Sequence, residues 1–218
     1  MKWTNVYTLL KKEFQIEWKE KYVLGAILLF VFLCSYIIYR SFQQITPMSW
    51  NVLFWIIFLF AGVNALIRSF SGELSRQYLY IYQLVKPGEI IISKIIYNTL
   101  VLCLVSFALM GALSLFTIHP IDDYILFSTA IFLGSLGVSI CFTFVAAVLG
   151  QQGNQSVLMS VLSLPLIIPI LLLLIKITAA SLSIVKDTSI NSDIILLLGI
   201  DLVLFGVAVI IYPFLWRV

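Results

Sequence analysis

Charge is scarce in this sequence: only 11% of its 218 residues are charged, where a soluble domain carries roughly 25%. No basic cluster with interleaved aromatics occurs on a polar segment, so nucleic-acid binding has no support. Histidine is almost missing. The single one, His119, excludes any site that needs two, including a His-Glu-x-x-His zinc helix. No Gly-x-x-x-x-Gly-Lys loop is present to cradle a nucleotide phosphate, and no Gly-x-Ser-x-Gly elbow to present a serine nucleophile. Convergent polar groups, which catalysis requires, are therefore in short supply, and the chain reads as a non-catalytic subunit. The three cysteines, Cys34, Cys103 and Cys141, are odd in number, widely spaced and set in apolar stretches. They form neither a disulfide framework nor a zinc site and read as buried free thiols.

Hydrophobic residues fill the space left by charge. They make up 62% of the chain, and the mean hydropathy is +1.11. A membrane span needs about 20 apolar residues, and six segments qualify: Tyr22–Tyr39, Trp50–Ile67, Ile95–Phe116, Ile125–Leu149, Ser156–Ile175 and Ile194–Tyr212. The polar residues continue to Tyr22 before the first span, which is not the layout of a cleavable signal. The expected fold is all-α: one polytopic membrane domain over 1–218 with little soluble mass. The most unusual span lies within the 24-residue run from Gly153 to Lys176, which carries Pro165 and Pro169 on successive turns. Each proline removes a backbone N–H and crowds the preceding turn, at a cost of roughly 3 kcal/mol in an ordinary helix interior. Carbonyls freed within a membrane need neighbouring protein or enclosed water, so this span is expected to be a bent helix packed among others.

Positive charge orients the chain. With the N-terminus inside, the inner segments hold Lys2, Lys11, Lys12, Lys19, Lys21, Arg68, Arg76, Lys86, Lys94 and Arg217, and the outer ones Arg40, Lys176 and Lys186. That is 10 of the 13 lysines and arginines on the inside, which puts both termini in the cytoplasm. Residues 1–21 are a different element. Trp3, Val6, Tyr7, Leu10, Phe14 and Trp18 recur at the period of one helical face, with lysines elsewhere on the helix. An amphipathic helix lying in the membrane interface is expected, its aromatic rings at headgroup depth. The inner segment 68–94, too polar to span and too apolar for a free linker, reads as a short surface helix ending near Lys86, broken by Pro87 and Gly88. One side of it would face the bundle and the other a cytosolic partner.

Few residues remain as functional candidates. Asp201 lies about seven residues into the last span, where a carboxylate costs a few kcal/mol by insertion scales unless neutral, paired or facing water. It is expected to face the bundle interior, with Lys176 as one partner to consider. His119, followed by Asp122 and Asp123, occupies an outer loop; a histidine there can ligate haem iron or simply be solvated. The two adjacent acids point apart on a helix and make no metal site without further ligands. Gly134, Ser135, Gly137 and Ser139 allow close helix contact in the fourth span.

These residues together resemble the CcmB, or haem exporter protein B, family, the membrane subunit of an ABC-type exporter in cytochrome c maturation. The resemblance covers essentially the whole chain. Leu164-Pro165-Leu166-Ile167-Ile168-Pro169 is similar to the family's Leu-Pro-Leu-x-Ile-Pro element. Arg68, Phe70 and Glu73 match its Arg-x-Phe followed by acidic residues, and Leu84, Pro87 and Lys94 match the Leu-x-x-Pro and lysine before the next span. After the acidic residue the family usually has Gly-x-Leu-Glu, whereas this chain has Ser75-Arg76-Gln77-Tyr78-Leu79-Tyr80; His119 matches no family signature. The resemblance implies a fold like the permeases of type-2 ABC exporters, in the bacterial cytoplasmic membrane. It also implies a complex with a cytosolic ATP-binding subunit, a haem-handling membrane subunit and a small single-span subunit. Haem is then one candidate cargo of that complex, with no cofactor assigned to this chain; an exporter permease for a lipid, glycan or drug, or a non-transporting scaffold of a haem-handling complex, fits the same pattern. The 68–94 segment would couple to the ATPase, with Arg68, Phe70, Glu73, Pro87 and Lys94 in the contact region. Two permease copies, as a homodimer, or one paired with a different permease, satisfy the same pattern.

Overall fold

The computed structural model describes residues 3–19, 21–42, 44–71, 85–117, 121–149, 155–184 and 190–215, and all regular structure among them is helical. The helices are α1 (Trp3–Lys19), α2 (Lys21–Ser41), α3 (Pro47–Ser71), α4 (Pro87–Phe116), α5 (Tyr124–Leu149), α6 (Gln155–Ser181) and α7 (Ile190–Leu215). Helices α3 to α7 are each long and apolar enough to cross a membrane, while α2 carries a shorter apolar stretch, Gly25–Ser41. In lipid, a helix satisfies its own backbone groups, and apolar runs of this length leave few alternatives. Helices α2 to α7 run alternately up and down, so the bundle has two ends. One gathers α1, the end of α3 and the start of α4; the other gathers the start of α3 and the end of α6.

Helix α5 is the hub, packed against α4, α6 and α7 and touching α3. Its small residues explain why. A methyl group on Gly134 would lie 2.7 Å from Leu174 and 3.2 Å from Trp55, and one on Gly137 would collide with the Asp201 carboxyl and come within 3.2 Å of Ile170. Close backbone approach of this kind replaces the hydrophobic drive that lipid-embedded helices lack. The same holds for Gly62 of α3, where a methyl group would lie 2.9 Å from Leu102 of α4.

Toward the α6-end rim, buried aromatics and a polar knot hold α3 in place. Trp50, Phe54, Trp55, Phe58 and Phe127 form a chain of stacked and edge contacts, with centroids 5.1–5.8 Å apart. Asn51 Nδ2 donates to the Ile175 carbonyl at 2.9 Å, the Thr178 hydroxyl meets Asn51 Oδ1 at 2.7 Å, and Trp55 Nε1 donates to Thr178 Oγ1 at 3.0 Å. Helix α6 ends with Ser183 in the left-handed region (φ 53°). The Ser183 and Ile184 N–H groups donate back to the Ala180 and Ala179 carbonyls, a Schellman closure usually built on glycine.

Helix boundaries differ from the hydropathy reading chiefly at α4, which begins at Pro87 rather than Ile95. Glu89, Ser93 and Lys94 lower the hydropathy there, yet proline at the first helical position and an acid in the first turn are good helix-start chemistry. Residues 68–71 likewise continue α3, which leaves 72–86 between the two helices. The surface helix expected near Lys86 falls largely on residues 72–84, outside the described residues.

Candidate functional site

Two places collect polar side chains that a membrane domain does not need for packing alone. The first is the junction of α1 with the start of α4. Val6 of α1 is buried, while Trp3 and Tyr7 are 70% and 68% exposed. Asn5 Nδ2 donates to Glu89 Oε2 at 2.8 Å, and Lys94 Nζ lies 3.5 Å from Glu13 Oε2. Phe14 meets the Tyr97 ring edge-on, with centroids 5.5 Å apart. Glu89 and Lys94 are 2% and 5% exposed, so these polar contacts are made inside the protein. The docking face of α1 is therefore a mixed Asn5-Val6-Glu13 face, not the purely apolar stripe that periodicity picks out. Part of that stripe faces outward instead, where aromatic rings suit a lipid interface.

The residues matched to the coupling region separate here. Lys94 is buried against Glu13, and Pro87 opens α4. Arg68 and Phe70 lie on the last turn of α3, and Glu73 lies outside the described residues. Periodicity missed Asn5, Glu13 and Glu89. The signal available was Glu13 directly after Lys11 and Lys12 in α1, together with an acid and a lysine at the start of a span.

The second place is the α4–α5–α7 interior. Ser139 Oγ of α5 donates across to the Ile95 carbonyl of α4 at 2.9 Å, and Asn98 Nδ2 reaches Thr143 Oγ1 at 3.4 Å. Asp201 of α7 faces the bundle interior as expected. It is 2% exposed, and among the described residues neither carboxyl oxygen has a hydrogen-bond partner. Lys176 does not serve it. That ammonium bonds Asp193 at 2.8 and 3.0 Å near the start of α7, because Lys176 and Asp193 lie toward the same rim whereas Asp201 is two turns deeper.

The remaining candidates resolve into structure. Asp123 Oδ1 accepts from the Ile125 and Leu126 N–H groups at 3.0 Å each, capping α5. The Asp122 and Asp123 N–H groups both donate to the Ser181 carbonyl at 3.1 Å. His119 lies outside the described residues. Among the described residues no three histidine, cysteine or acidic side chains gather as a metal site. Cys141 is buried, Cys34 and Cys103 partly so, and all three are free. Pro165 and Pro169 sit inside a continuous α6, on its exposed side, so the prolines face away from the core rather than into it.

A bundle of long apolar helices with buried polar junctions, and with an amphipathic helix strapped to one end, defines a polytopic helical membrane protein. Within that class, the chain belongs to the CcmB family: the family model described as CcmB protein matches residues 4–216. No curated protein and no solved structure matches it.

Proposed function

We propose that this chain is the transmembrane permease subunit of an ABC-type complex that serves haem export or delivery for cytochrome c maturation. Membership of the CcmB family over nearly the whole length carries this reading, and the apolar helical bundle supports it. In this reading the chain crosses the bacterial inner membrane six times, with α2 as the first span and both termini in the cytoplasm, as the excess of lysine and arginine in the inner segments favours. The chain hydrolyses no nucleotide itself; a separate cytosolic ATP-binding subunit does so, and a haem-handling membrane subunit and a small single-span subunit complete the complex.

Segment 68–94 is the coupling region in this reading. Arg68, Phe70 and Glu73 meet the ATPase from the end of α3 onward, and Pro87 starts the rigid helix that receives the push. Lys94 acts from inside, by holding α1 to that helix. A conformational change needs a contact that differs between states, and here it is the ATPase contact with 68–94. Pro165 and Pro169 weaken the backbone ladder of α6, so that helix changes its bend as the bundle shifts.

Purification in mild detergent, with mass spectrometry of the partners and an absorption scan for haem, tests the reading. An ATP-binding subunit together with cytochrome maturation proteins is the expected result, and Glu73→Lys should reduce recovery of the ATPase. Recovery of an ATPase with only lipid- or glycan-pathway proteins would assign another cargo. Haem delivery that survives an inactive ATPase would make the chain a scaffold.

A further inference from the structure

Asp201 is a buried acid that the coupling scheme does not use. It lies eight residues after Asp193, whose pair with Lys176 marks the rim of the bundle, which is about 12 Å along the helix and well inside a hydrocarbon core of roughly 30 Å. Its carboxyl is seated on Gly137 of α5, where any β-carbon would occupy the same space. Both oxygens are buried without a hydrogen-bond partner among the described residues.

Among the described residues, the titratable groups on the helices packed against α7 have their own partners or lie away from Asp201. On α5, Cys141 lies one turn beyond Gly137 and its thiol carries no positive charge, and Tyr124 is exposed at the start of the helix. On α4, Glu89 and Lys94 contact α1, Tyr97 meets Phe14, and Cys103 sits beside Ser135. On α6, Lys176 bonds Asp193 of α7 itself. An ionised carboxylate left bare in such a place is far costlier than a neutral acid.

We propose that Asp201 is an intramembrane proton-binding site: it carries a proton while seated on Gly137 and releases it when α7 moves off α5 and water reaches the carboxyl. The bound species is the proton, added to one carboxylate oxygen to give the neutral acid. Separation of α5 from α7 is thereby coupled to ionisation, independently of which cargo the complex serves.

Infrared spectroscopy of the protein in liposomes at neutral pH tests this without any transport assay. Wild type minus Asp201→Asn should show the C=O stretch of a protonated carboxylic acid, downshifted in heavy water. A carboxylate stretch in its place would overturn the proposal. If Asp201→Asn does not fold, isotope-labelled aspartate in an Asp187→Asn background gives the same reading. Asp122 and Asp123 are exposed there and Asp193 is paired with Lys176, so a labelled acid band reports Asp201. Its presence supports the proposal, and its absence contradicts it.

Discussion

Replacing Glu13 by Gln should destabilise the protein far more than removing a surface charge. Lys94 Nζ and Glu13 Oε2 are 3.5 Å apart, with side chains 6% and 14% exposed. At an effective dielectric near 20, that separation gives a gross attraction of roughly 5 kcal/mol. Desolvation of both groups offsets much of it, so the pair itself adds little net stability. Breaking it is another matter, because Glu13→Gln leaves the Lys94 ammonium buried with its partner charge removed. Measured losses of this kind run to about 3–5 kcal/mol, and further contacts of Lys94 hold the expectation near the lower value, about 3 kcal/mol. For a chain of this size that is a fall in melting midpoint on the order of 10 °C. Thermal denaturation in detergent, followed by tryptophan fluorescence, measures it. The double variant Glu13→Gln with Lys94→Met should recover most of the loss, since it removes both charges. A single variant that melts within about 1 °C of wild type would refute a buried clamp between α1 and α4.

Other perturbations separate tight positions from open ones. Gly137→Ala drives a methyl group into Asp201 and Ile170 and should cost about 1–3 kcal/mol. Gly199→Ala, whose added carbon meets nothing within 4 Å, should stay within about 0.5 kcal/mol of wild type in the same melt. Thr178→Val keeps the shape but deprives Asn51 and Trp55 of a partner; about 1–2 kcal/mol should be lost. Asp193→Asn breaks a pair whose lysine side chain is 50% exposed and should cost less than about 1 kcal/mol, with the difference shrinking further in high salt.

Five of the six expected spans, α3 to α7, are legible in hydropathy because lipid imposes a long apolar run on a crossing helix, whereas α2 carries only the shorter apolar stretch Gly25–Ser41. Helix α5 was expected over Ile125–Leu149 and forms over Tyr124–Leu149. Its glycines were legible as close-contact positions, and the interior placement of Asp201 followed from the cost of exposing a carboxyl to hydrocarbon. Partner choice was not legible. The sequence offers Lys176 as one partner for Asp201, yet it bonds Asp193, because rotation and depth are not encoded in a one-dimensional pattern when a helix is apolar all round. The α4 start was misplaced for a related reason. Glu89 and Lys94 look like loop residues by hydropathy, but α1 covers them with Asn5 and Glu13. That pairing joins residues more than 80 positions apart and leaves no local periodic trace.

Coupling requires the α1 end of the bundle to face the cytoplasm, where an ATPase can reach residues 68–94. Cysteine placed at Lys86, exposed at the entry to α4, and at Ser183, exposed at the opposite end, reads this directly with a membrane-impermeant maleimide. In intact spheroplasts Ser183→Cys should label and Lys86→Cys should not; in inverted vesicles the pattern should reverse. Labelling of Lys86→Cys from outside intact spheroplasts would contradict the orientation and remove the coupling region from reach of any cytosolic motor.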